Sequence, residues 1–165
     1  MHMSETLVSA EAKAMVGQIT AGPVTVEITA REAQRYAQAV DDLNPVYFDE
    51  TAARAAGHPG LVIPPTFLEH AMVQGRSVDT MRPDGLFDSP SGGGLERRRV
   101  MFGGQEWQWL SPVYVGDTIT AVQRLGDITE KSGSKGPFVL ITWETTYTNQ
   151  RGETVALSRE QGISR

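Results

Sequence analysis

The chain has 165 residues, 39% of them hydrophobic and 21% charged, with a formal net charge of −5. That length suits one domain with a sizeable core, and the balance of apolar to charged residues excludes wholesale disorder. The acidic excess speaks against a nucleic-acid partner, which calls for a basic face, and the absence of cysteine excludes disulfides, a thiol nucleophile and zinc–thiolate sites.

No run of about 18 apolar residues occurs, so no membrane span is expected. No basic-then-apolar leader opens the chain either, which makes the cytoplasm the expected compartment. Of three histidines, His2 sits in Met1-His2-Met3 and reads as a tag remnant, leaving His58 and His70. Residues 1–22 are expected to be an N-terminal segment and residues 23–165 the folded domain. Val24, Val26 and Ile28 alternate with Thr25 and Glu27, which predicts a first strand. Thr29-Ala30-Arg31-Glu32 has the form of a capping box. Behind it Ala33, Tyr36, Ala37 and Val40 recur at helical spacing, and Asn44-Pro45 ends that helix.

Asp49 is placed to cap a short alanine-rich helix over Glu50 to Ala56, stopped by Gly57. Pro64-Pro65-Thr66-Phe67 opens another helix, in which Phe67, Ala71 and Met72 suit an apolar contact. A long loop is expected from Ser77 to about Arg97, carrying Pro83, Pro90 and the Gly92-Gly93-Gly94 run. Four strands should follow: Val100 to Trp109, Thr118 to Leu125, Phe138 to Tyr147 and Thr154 to Ser164. Helices first and a meander of strands afterwards predict an α+β fold, with a helix packed on one antiparallel sheet.

Two stretches carry a family resemblance. Asp42-Leu43-Asn44-Pro45-Val46-Tyr47 resembles the Asp-x-Asn-Pro-(Leu/Ile/Val)-His signature of MaoC-like dehydratases and (R)-specific enoyl-CoA hydratases, with Tyr47 where histidine is expected. Gly104 to Trp109 and Pro112-Val113-Tyr114-Val115-Gly116-Asp117 resemble that family's strand-turn-strand passage, and the resemblance covers Val24 to Arg165. The C-terminal half is similar to the N-terminal-type module of the family, often the less catalytic half of a double or heterodimeric assembly. The resemblance implies a single hot-dog fold, an antiparallel sheet wrapped around a central helix. It further implies a homodimer, or a heterodimer with a second hot-dog subunit, whose sheet edges pair and whose sites lie near the interface. The implied reaction is reversible hydration of a 2-enoyl thioester to a 3-hydroxyacyl thioester on coenzyme A or acyl-carrier protein, with no cofactor and no metal.

That chemistry needs a base for the proton alpha to the thioester, an acid for the departing hydroxyl and donors for the enolate oxygen. Asp42 is the expected base, with Asn44 fixing its orientation. Tyr47 replaces the imidazole, and a phenol with an ordinary pKa of about 10 donates well and abstracts poorly. It is expected to donate to water, to the leaving hydroxyl or to the thioester oxygen. Pro65 has no N–H to give, so the backbone amides of Thr66, Phe67 and their neighbours beyond it, or those in the Leu61–Ile63 approach, would hold the enolate oxygen. His70 follows Thr66 by one helical turn on the same face, and Arg98 in Arg97-Arg98-Arg99 would grip coenzyme A phosphates. Each has a plainer reading: Asp42 as a turn residue, Tyr47 as packing, His58 as a loop histidine, His70 as a satisfied helix residue and the arginines as a solvated strand entry. Loss of a positioned acid or base removes about 10²–10⁴-fold in rate. Two other functions therefore stand beside the dehydratase: a non-catalytic acyl-binding subunit that completes a partner's site, and a hot-dog thioesterase.

Overall fold

Alternating and β-branched residues dominate from Val100 onward, and four of the five strands come from that part of the chain. The computed structural model describes residues 6–73, 79, 81, 83 and 100–165. Arg98, the glycine run and most of the expected 77–97 loop lie outside the described residues. In chain order the elements are α1 (Ala10–Ala14), β1 (Ile19–Glu27), α2 (Ala30–Ala39), a 3₁₀ turn (Pro45–Tyr47), α3 (Glu50–Ala55) and α4 (Phe67–Val73). They are followed by β2 (Val100–Trp109), β3 (Thr118–Gly133), β4 (Gly136–Asn149) and β5 (Thr154–Ser164). All strand pairs are antiparallel, and the sheet order is β1-β3-β4-β5-β2. This is the expected α+β hot-dog arrangement, with α4 packed on one face of the sheet.

β3 and β4 run further than their alternation predicts. A bulge between Leu125 and Asp127 lets β3 continue to Gly133, where it pairs with Gly136 across a tight turn. The bulge shifts side-chain parity, so a strict period-two pattern ends at Leu125 while the ladder does not. β1 also begins earlier than expected, at Ile19, because its register slips between Ala21 and Val24 and hides the alternation. The 22/23 boundary thus falls inside β1. Gly22 has φ +92°, and a Cβ there would lie 2.5 Å from the Ala121 carbonyl oxygen, so only glycine fits.

Two apolar clusters occupy the concave face. The first joins Ile28, Ala33, Ile63, Phe67, Leu68, Ala71, Val113, Ile119, Ala121 and Tyr147. It is the core under α4, where Phe67 and Leu68 are almost fully buried. The second lies toward the other end of the long β3–β4 hairpin, where Leu125, Ile128, Val139, Ile141 and Trp143 are covered by Val8 and Ala12. Ser9 caps that cover by accepting from the Ala12 amide, a start signal not taken from the sequence. Among the described residues no helix is long and apolar enough to cross a membrane.

Candidate functional site

The site begins with how α2 ends. Thr29 caps its start, accepting from the Glu32 amide and donating its own hydroxyl to the Glu32 carboxylate. Ala33 and Ala37 are buried, whereas Val40, expected on the same stripe, is exposed because it is already the C-cap. Asp41 then adopts φ +58°, the single positive-φ non-glycine residue among those described. Its amide donates to Gln38 O and the Asp42 amide to Ala37 O, at 3.3 and 2.9 Å. These are the two crossed bonds of a Schellman stop. The chain leaves α2 with Asp42 half-buried and turned back toward the next element.

That element is the 3₁₀ turn. Asn44 caps it: its Oδ1 accepts from the Val46 amide at 3.3 Å. Asn44 therefore holds the turn and does not orient Asp42, contrary to expectation; a short Asx side chain before proline reaches the amide two residues on more readily than a neighbour's carboxylate. The Tyr47 carbonyl accepts from Gln34 Nε2 at 3.2 Å, and the Val62 amide donates to Val46 O at 3.2 Å. Clamped on both sides, Tyr47 is buried, and its hydroxyl donates to Asp42 Oδ2 at 3.2 Å. Burial first, then the Asp42 charge and this hydrogen bond, raise the Tyr47 pKa above the ordinary phenol value. The phenol stays protonated at neutral pH, and its one hydrogen points at Asp42 instead of at a substrate oxygen.

Neither imidazole joins this pair. His58 stands against the Tyr114 ring with centroids 6.0 Å apart, and His70 lies exposed against Tyr36 and Phe67 at 5.2 and 6.0 Å. Among the described residues no histidine hydrogen-bonds Asp42. Nor do those residues gather three or more His, Asp or Glu that could hold a metal ion.

The entrance to α4 is tightly tied. Val62 pairs with Tyr114, Ile63 donates to Val113 O, and Val115 donates to Leu61 O. Gly116 donates to Ile28 O, and Asp117 accepts from the Tyr114 amide and from Gln150, so the Pro112–Asp117 turn is a structural anchor for this entrance. The Phe67 amide donates to Pro64 O and the Leu68 amide to Pro65 O. Of the amides expected to hold an enolate oxygen, those of Val62, Ile63 and Phe67 are thus already spent. The Phe67 side chain is core, not a substrate contact, because the proline pair turns it inward onto the sheet. Pro65 and Thr66 are exposed. Pro65 lines an apolar cavity of about 350 Å³ together with His58, Val62, Trp109, Pro112 and Val113. Sequence reading did not foresee this cavity, since it joins a loop, a helix start and the end of β2. Trp109 closes the β2 side of the cavity and stacks on Trp107 at 4.7 Å, with Trp107 also stacked on Tyr147.

Residues 14–158 match the family described as FAS1-like, dehydratase domain region. A UPF0336 protein of Leifsonia xyli subsp. xyli is 34% identical over 134 residues, covering 81% of this chain and 82% of that protein. Among solved structures, the ChsH1-ChsH2 complex from Mycobacterium tuberculosis superposes with a TM-score of 0.71 at 23% identity, covering 94% of this chain and 92% of that one. The C-terminally truncated HadBC (3R-hydroxyacyl-ACP dehydratase) complex from the same organism gives 0.65 at 20% identity, covering 91% and 97%. These two structures bear on the fold, whereas the family match and the sequence relative bear on descent. The match over residues 14–158, on this sheet and helix, shows that the chain belongs to the FAS1-like dehydratase domain family and is a MaoC-like hot-dog protein.

Proposed function

We propose that the chain is the acyl-binding, non-catalytic subunit of a heteromeric hot-dog dehydratase acting on acyl thioesters carried by coenzyme A or acyl-carrier protein. One observation carries this reading. Asp42 is bonded to a protonated phenol where the reaction needs a group that can exchange protons with water, and no described imidazole bonds to it. A carboxylate and a phenol with a raised pKa cannot trade a proton near neutrality as a carboxylate and an imidazole can. The partner then supplies its own Asp–His pair, which removes the alpha proton and protonates the departing hydroxyl. This chain holds the substrate, with Pro65 in the wall of the apolar cavity receiving the carrier-linked end. Likeness to chains from two complexes, ChsH1-ChsH2 and HadBC, supports the partner.

The test is co-expression with a hot-dog subunit bearing an intact Asp–His pair, followed by hydration assays on a 2-enoyl-CoA. The isolated chain is expected to be inactive and the complex active. Asp42→Asn and Tyr47→Phe in this chain should change the activity of the complex by less than about twofold, well short of the roughly hundredfold or greater loss expected for a catalytic acid or base. Turnover by the isolated chain that Asp42→Asn abolishes would instead make Asp42 the base of a self-sufficient hydratase. Release of free thiol without hydration would make the chain a thioesterase.

A further inference from the structure

Between the two apolar clusters the concave face turns polar. Gln123 of β3 pairs with Thr145 of β4, which pairs with Ser158 of β5, so three neighbouring strands present one polar row. On one side of that row stand Ala121, Tyr147 and Ala156 of the first cluster, and on the other Leu125 and Trp143 of the second. The row floors a cavity of about 240 Å³ that Glu69 of α4 and Gln105 of β2 also line.

This cavity lies further along the same two segments that line the apolar one. From Pro65, just before α4, the lining passes to Glu69 within the helix, and along β2 from Trp109 to Gln105, four residues in each case. A chain entering beside Pro65 and following the helix across the sheet meets the polar row next.

The polar groups are incompletely used. Gln123 Oε1 accepts from the Thr20 hydroxyl at 3.3 Å, while its amide nitrogen has no acceptor among the described residues. Tyr147 Oη and Ser158 Oγ stand 3.4 Å apart and the Thr145 hydroxyl also bonds the phenol, so these three hydroxyls engage one another and leave one hydrogen to give. Glu69 accepts from Gln105 at 3.1 Å and keeps lone pairs toward the cavity. An alkyl chain laid here would strip water from these groups and return no hydrogen bond. A hydroxyl group donates and accepts at once, which matches donors and acceptors set side by side.

Resting on the subunit reading above, we infer that this cleft selects acyl thioesters whose chain carries hydroxyl groups over plain alkyl chains of the same length. The experiment titrates the full-length chain with octanoyl-CoA and with octanoyl-CoA derivatives hydroxylated at each of the last three carbons, read by calorimetry. At least one hydroxylated ligand should bind about tenfold tighter than the plain one, as expected for a net gain of one or two hydrogen bonds. Gln123→Leu and Ser158→Ala should bring that preference to within about twofold, and a near-isosteric Thr145→Val variant provides a second reading if either folds poorly. Equal or tighter binding of plain octanoyl-CoA overturns the inference, as does a preference that survives in folded variants. Failure of every ligand to bind also overturns it, while the co-expression assay still decides the subunit reading on its own.

Discussion

The two apolar clusters on the concave face are built on different principles. The cluster under α4 draws on α2, α4, the Ile28, Ile63 and Val113 segments and three strands, so each buried side chain is held from several directions. The cluster under α1 rests on one hairpin and a five-residue helix, with Leu7 and Met15 at its margin. It also buries the Trp143 indole nitrogen without a partner among the described residues, a donor stripped of water for no return. The first half of the sheet is over-determined, and the second depends on a short cover. A helix that short has no stability of its own and survives only through the apolar contact it makes.

The largest expected difference is at Phe67. Phe67→Ala should cost about 3–5 kcal/mol in a denaturant titration, with loss of a single cooperative transition. A cost below about 1 kcal/mol would show that the α4 cluster is not the main core. Ala12→Leu overfills a fully buried site under α1 and should cost about 1–3 kcal/mol. Hydrogen exchange should then speed up at Leu125 to Ile141 while Phe67 to Ala71 stay protected. Uniform loss of protection would merge the two clusters into one cooperative unit.

Tyr47→Phe removes the bond to Asp42 and should cost about 1 kcal/mol. The same residue carries a pH signature. Tyr47 and Tyr147 both have pKa values raised chiefly by burial. The unfolded chain therefore loses these protons first as pH rises. Their contribution to stability is intact below about pH 10 and drains away as pH climbs through the folded values. Phenolate absorbance should show Tyr47 and Tyr147 resisting ionisation, and each Tyr→Phe variant should flatten the alkaline loss of stability. The smallest effect is expected at Trp143→Phe, within about 1 kcal/mol of wild type, because removing the orphaned donor offsets the lost ring contacts. A cost above about 3 kcal/mol would mean the indole is better satisfied than its surroundings indicate.

Local patterns carried much of the architecture. Strands β2 and β5, the Thr29 and Asp49 caps, and the stop at Gly57 follow from alternation and capping chemistry, which act within a few residues and leave their mark in order along the chain. The Asp42 to Tyr47 signature, too, is legible in the sequence as a resemblance. What proximity in space decided lay beyond those patterns. Whether Tyr47 donates to substrate or to Asp42, whether Asn44 serves the carboxylate or the turn, and which amides near α4 remain to give all depend on groups brought together by the fold. The polar row of Gln123, Thr145 and Ser158 shows the same division. Each is an unremarkable strand residue alone, and only the register of three long strands sets them side by side. Hydrogen bonds and burial are settled by which atoms end up within about 3 Å of one another, and a linear pattern holds no record of that.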